Sequence, residues 1–250
     1  MSGAVHVQPI SGAIVLLEID NPPMNPLGVG MRATFMAALD QVEADGDLRC
    51  VIVTGKCRAL CSGDDLKTAE SGRDDLAGFT RLLDRLEATR VPVVAALNGW
   101  CVGGGFELAL CCDIRLASTQ AQVVCAGVNV GLIASAYRLP RLIGVSRAKA
   151  MLLTGLPHDA ETAERYGLVT GLHAPDDLRP AAIALAERIA SRAPLSVEAT
   201  KRVATRAPDL SPVEAAAMQA PEIEVLRASA DHKAALAAFR ERREPVFTRS

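Results

Sequence analysis

The period of the apolar residues changes repeatedly along the chain, and each change predicts an element. Ala13-Ile14-Val15-Leu16-Leu17-Glu18-Ile19 is an apolar run of strand length. Asp20-Asn21-Pro22-Pro23 stops it, because proline removes a donor and restricts the residue before it. Met31, Phe35, Leu39 and Val42 then fall on one face of a helix, which Asp45-Gly46-Asp47 ends. Cys50-Val51-Ile52-Val53 is short and continuously apolar, as in a strand covered on both faces. A loop runs from Gly55 to Asp65, and Leu76, Phe79, Leu83 and Leu86 mark the next helix. Ile114-Arg115-Leu116-Ala117 and Gln122-Val123-Val124-Cys125 are further strands.

From Ser146 onward the pattern is helical. Ser146 is placed to cap a run through Leu153 that Gly155 ends, and a run over 161–166 stops at Gly167. Leu178, Ala182, Leu185 and Ile189 set a longer helix. Three more follow at about 196–206, 212–228 and 231–243, with a capping box and an N1 proline in Ser211-Pro212-Val213-Glu214. Strands alternating with helices, followed by helices alone, predict an α/β core with a helical C-terminal appendage. No low-complexity linker and no internal sequence repeat divides the chain.

Val93-Val94-Ala95-Ala96-Leu97-Asn98-Gly99-Trp100-Cys101-Val102-Gly103-Gly104-Gly105-Phe106-Glu107-Leu108-Ala109-Leu110 carries the candidate chemistry. It reads as an apolar strand, a turn, consecutive glycines and a helix with a glutamate in its first turn. Bare backbone admits a ligand closely, and a helix start presents unpaired N–H groups. With Glu107 beside them, these groups suit an oxyanion and a moving proton. The same pattern also serves tight packing of helix on strand and a favourable charge near the helix dipole. GxxxGGG is not the GxGxxG of dinucleotide-binding oxidoreductases.

Composition narrows the classes. Half of the 250 residues are hydrophobic and 22% are charged, so a sizeable core is available; only 3% are aromatic, which leaves packing to Ala, Leu and Val. With 27 basic and 29 acidic residues and no long basic run, nothing points to nucleic acid. The seven cysteines (50, 57, 61, 101, 111, 112 and 125) include no CxxC, and their odd count suits reduced core thiols of a cytoplasmic protein. Cys57 and Cys61 lack the companions of a metal site, and His6, His158, His173 and His232 are scattered. No leader pattern and no apolar run of about 18 residues suggests export or a membrane span.

In order and spacing, several segments resemble the crotonase superfamily, the enoyl-CoA hydratase/isomerase group. They are Asn25-Pro26-Leu27; Val51-Ile52-Val53-Thr54-Gly55; Cys61-Ser62-Gly63-Asp64-Asp65-Leu66; Asn98 through Ala109; Cys112-Asp113; Arg138-Leu139-Pro140-Arg141-Leu142-Ile143-Gly144; and Ala238 through Phe247. The resemblance implies an α/β spiral of ββα units over residues 1–190 that binds acyl-CoA, and an all-helical trimerisation region over 191–250. A homotrimer or a dimer of trimers is the implied assembly. The implied substrate is an acyl-CoA thioester whose enolate two backbone N–H groups stabilise, at Ser62 and Gly104 by position. Ser62, Gly63, Asp64, Asp65, Gly103 and Gly104 would line the site, with Asp65 in a structural hydrogen-bonding role. Lys56 and Arg58 would approach CoA phosphates in that arrangement, or stand as solvated loop charges. Glu107 matches one catalytic glutamate. No separate cofactor or metal is implied, since CoA is part of the substrate.

The chain departs from the hydratase pattern at one position. The second glutamate falls at Gly127, and no carboxylate occurs between 119 and 158; the segment 132–138 is also shorter than usual. The dienoyl isomerase variant would want acids at Gly127 and Ser135, so it is disfavoured. Asp64, Tyr137 and Cys125 are candidate replacements, with Asp64 first. The leading expectation is an enoyl-CoA hydratase-like lyase with Glu107 as acid/base. Alternatives are an isomerase, a decarboxylase, a thioester hydrolase or a non-catalytic acyl-CoA-binding homologue.

Overall fold

The structure is a computed structural model and describes residues 3–65 and 76–250; Leu66 of the predicted loop lies outside the described residues. Strands β1 (Ala4–Ser11) and β2 (Ile14–Asp20) form an antiparallel hairpin. From β2 a parallel sheet continues through β3 (Cys50–Gly55), β5 (Val93–Leu97), β7 (Ile114–Ser118) and β10 (Leu172–His173). A second sheet holds β4 (Ala59–Cys61), β6 (Trp100–Val102), β8 (Gln122–Val124) and the antiparallel β9 (Pro157–Asp159). Each turn therefore places one strand in the first sheet and the next in the second. After β5 and β6 comes helix α3 (Gly104–Leu110), and after β7 and β8 a 3-10 turn, Ala126–Val130. This is the ββα spiral, repeated in space without a repeat in sequence.

The continuous apolar runs arise because the first sheet is covered on both sides. Val51, Val53, Val93, Ala95 and Leu97 face one core with Phe35, Leu39, Phe79 and Leu86. These last come from α1 (Val29–Ala44) and α2 (Leu76–Glu87). The alternating Cys50, Ile52, Val94 and Ala96 face Leu178, Ala182 and Ala186 of α7 (Leu178–Ala190). Side chains alternate across a strand, so a strand walled on both faces has no polar side to show.

Between β8 and α7 lie α4 (Arg138–Ile143), α5 (Val145–Thr154) and α6 (Ala160–Tyr166). Ser146 is not the cap expected of it. The helix starts two residues earlier, because Gly144 ends α4 and directly caps α5. Gly155 and Gly167 do end their helices in the left-handed conformation. The tail forms α8 (Pro194–Arg206), α9 (Pro212–Ala228) and α10 (Ala230–Glu241), and the Ser211–Glu214 capping box is made in full. Helix α9 buries none of its residues within the chain, and Val213, Val225 and Phe239 stand exposed. By contrast α8 is tied to the core: Lys201 Nζ lies 2.8 Å from Asp113, and Arg90 bonds Glu198 at 2.6 Å. Among the described residues no helix is long and apolar enough to cross a membrane.

Candidate active site

Three segments meet at the start of α3: the β4 exit at 61–65, the glycines 103–105, and the stretch 127–135 after β8. Gly103 joins β6 to α3 with φ 52° and ψ −117°, a conformation reserved for glycine, while its N–H donates to Val124 O at 2.9 Å. The turn lets the helix start immediately. Its first return bond runs from Glu107 N to Gly103 O at 3.0 Å, and no acceptor is described for Gly104 N–H. The glycines are also packing residues. A β-carbon on Gly104 would come within 2.6 Å of the Phe79 ring, and one on Gly105 within 2.1 Å of Cys61 O. So the bare backbone lets the helix sit tightly on β4 and α2 as well as presenting an N–H.

The β4 exit packs beside Gly104. Gly63, at φ +89°, is buried so closely that a β-carbon there would lie 2.7 Å from Gly104 N. Leu27 N donates to Gly63 O at 2.8 Å, which pins the turn. Ser62, whose N–H the resemblance assigns to the substrate oxygen, here donates that N–H to Met24 O at 2.9 Å. Gly63 N–H is also engaged, by Cys61 Sγ at 3.2 Å. Asp64 N–H has no acceptor among the described hydrogen bonds. Its carboxylate forms an ion pair with the buried Arg32, whose Nε donates to Leu27 O at 2.8 Å and whose guanidinium lies 5.0 Å from the Phe79 ring centre. Asp65 N–H donates to Asp64 Oδ1 at 2.8 Å.

Glu107 is half-buried in the first turn of α3, and its Oε1 accepts the Ser135 N–H at 2.6 Å. Ser135 is buried at φ +59°. That residue type and position carried no sequence signal beyond the mismatch already noted, because the contact depends on how 131–137 folds back. The position of the second acid is held by Gly127, and the space above it is tight. Gly127 is buried, and a β-carbon there would lie 3.0 Å from both Ala134 N and Leu132 O. Leu132 N also donates to Gly127 O at 2.8 Å. The shortened segment thus lies where the glutamate side chain would start.

None of the candidate replacements is arranged as a second acid. The Asp64 carboxylate is committed to Arg32. Cys125 is near Glu107, but burial, aided by the Glu107 charge, pushes its thiol up to about 12, so it stays neutral. Tyr137 is mostly exposed, with its ring 4.6 Å from the Arg138 guanidinium carbon. Lys56 is paired with Asp20 at 2.8 Å, and Arg58 is exposed. Among the described residues there is no cluster of metal-ligating side chains, and all seven cysteines are unpaired, six of them buried. A cavity of about 740 Å³ opens at the other end of α3, between Cys111, Arg138, Ile189 and Lys201; neither Glu107 nor Gly104 lines it.

The helix start at Gly104, the pinned glycine turn at Gly63 and the Glu107 carboxylate meet on a spiral of ββα units. The enoyl-CoA hydratase/isomerase family model matches residues 9–250, and the chain belongs to that family. It is 36% identical over 249 residues to (E)-benzylidenesuccinyl-CoA hydratase of Thauera aromatica, covering 95% of this chain and 96% of that protein. It is 39% identical to a probable enoyl-CoA hydratase of Mycobacterium bovis, covering 94% and 89%. The crystal structure of enoyl-CoA hydratase from Bacillus anthracis superposes with a TM-score of 0.95 at 30% identity, covering 98% and 99%.

Proposed function

We propose that the chain hydrates a 2-enoyl-CoA thioester, with Glu107 as the only carboxylate acting on the substrate. Gly104 N–H and Asp64 N–H hold the thioester oxygen in this reading, and Asp64 replaces Ser62 because Ser62 N–H is already spent on Met24. The observation that carries the reading is Glu107, fixed by Ser135 N–H at 2.6 Å and one helical turn from the uncommitted Gly104 N–H.

The chemistry balances with one carboxylate. Water attacks the β-carbon, and Glu107 takes one of its protons. The C=C electron pair moves to the α-carbon and on to the thioester oxygen as an enolate, which the two N–H groups stabilise. Protonated Glu107 then gives its proton to the α-carbon, and the carboxylate is restored. Each backbone donor aimed at such an oxyanion contributes about 2.7–4 kcal/mol. The absorbance of a conjugated enoyl-CoA falls as hydration proceeds. Glu107→Ala is expected to lower that rate by about 10²–10⁴-fold; undiminished turnover overturns the assignment.

The covered Gly127 position favours one alternative specifically, a reaction that needs a single proton carrier, such as double-bond isomerisation. Product mass separates the two: a gain of water marks hydration, and an unchanged mass marks isomerisation. We also propose a homotrimer or dimer of trimers, supported by α9, which buries nothing within its own chain, and by exposed Leu132, Ile133, Leu153 and Leu156. Light scattering at micromolar concentration tests it.

A further inference from the structure

Ser135 holds Glu107 through its backbone, yet its side chain has no evident employment. Its Oγ is one of two buried side-chain polar atoms without a hydrogen-bond partner among the described residues; the other is Arg138 Nε. The residue is 2% exposed and sits at φ +59°. Both features disfavour serine. A buried hydroxyl without a partner is costly, and the left-handed region suits glycine. Glycine at 135 would relieve both and keep the N–H to Glu107.

The hydroxyl is next to the acid/base group. Oγ is three bonds from the Ser135 nitrogen, so no rotamer carries it more than about 4 Å from that atom, and the nitrogen lies 2.6 Å from Glu107 Oε1. A single staggered step about Cα–Cβ redirects the oxygen without moving the backbone. The position of a second acid, Gly127, is tightly covered: a β-carbon there would lie 3.0 Å from Leu132 O and Ala134 N. Ser135 belongs to that same closing segment.

We infer that the Ser135 hydroxyl is the second oxygen-binding group of the site. It accepts a hydrogen bond from the O–H of the attacking water that does not face Glu107, and in the reverse direction it binds the β-hydroxyl of a 3-hydroxyacyl-CoA. Ser135 gains and loses no proton; it orients the oxygen while Glu107 carries the proton. This rests on the acyl-CoA hydration reading above, so its test includes a measurement that does not depend on turnover.

Calorimetry compares 3-hydroxybutyryl-CoA with butyryl-CoA, which differ only in the β-oxygen. The wild-type chain is expected to prefer the hydroxylated ligand by about tenfold, a hydrogen bond to a site otherwise left unpaired. Ser135→Gly and Ser135→Ala are both expected to bring the ratio close to one. In turnover both lower kcat by about 10–100-fold with KM nearly constant, while Ser135→Gly melts no lower than wild type. An unchanged binding ratio in both variants, or a wild-type ratio already near one, overturns the inference. A wild-type chain that binds both ligands with the expected preference but hydrates no enoyl-CoA overturns the hydration reading and leaves Ser135 supported as an oxygen-binding group.

Discussion

Two turns of the same spiral end near the same point, and they end differently. After β6 the chain passes through Gly103 and starts a helix whose first turn carries Glu107, with a Gly104 N–H that has no acceptor among the described residues. After β8 it passes through a 3-10 turn whose Gly127 is roofed by Leu132 and Ala134. The first ending uses glycine to bring α3 onto β4 and keep an N–H available. The second uses glycine to let a short return segment lie on the backbone, which places Ser135 N–H on Glu107. The tight cover over Gly127 and the fixing of Glu107 are therefore two results of a single chain path.

That contrast can be broken at either turn. The largest effect is expected at Gly105→Ala. Its β-carbon would meet Cys61 O at 2.1 Å, a backbone atom on a buried strand. The cost is about 3 kcal/mol, the upper part of the usual overpacking range, read as a lower denaturant midpoint. Gly127→Glu comes next. It supplies the family's missing residue type, but the 3.0 Å contacts to Leu132 O and Ala134 N push the return segment off Glu107. About 2 kcal/mol of lost stability, with no gain in hydration, is expected; a variant hydrating faster than wild type would show that the second turn is not closed.

Asp64→Ala is the mildest change and sharpens the comparison from outside both turns. The backbone N–H stays, so kcat is expected to remain within about threefold, since no group taking part in proton transfer is lost. Stability drops by about 1 kcal/mol, because the partly exposed carboxylate leaves the buried Arg32 with fewer partners. A hundredfold fall in kcat would instead make Asp64 the second acid.

Much of this arrangement was legible beforehand, and the misses share a cause. The helix face of Met31, Phe35, Leu39 and Val42 is buried as its spacing predicts. The run Cys50 to Val53 is a strand walled on both sides because it contains no polar alternation. The sequence pattern predicts loop and turn where the short strands Ala59–Cys61 and Trp100–Val102 form. Three residues show no period, and only the second sheet, assembled from distant segments, makes them strands. The family resemblance assigns Ser62 N–H to the substrate by position; its bond to Met24 O depends on a contact across 38 positions.

By itself the sequence determined the longer core strands and most of the helices, the caps at Ser211, Gly155 and Gly167, the family, and the presence of one carboxylate at a helix start. These follow from local spacing, from backbone preferences of single residues, and from motif order. Tertiary structure alone decided which N–H groups remain uncommitted, that Asp64 belongs to Arg32, and that Gly127 lies under a returning backbone with Ser135 against Glu107. Those are outcomes of competition among donors, acceptors and volume brought together by folding, and no local pattern records who wins.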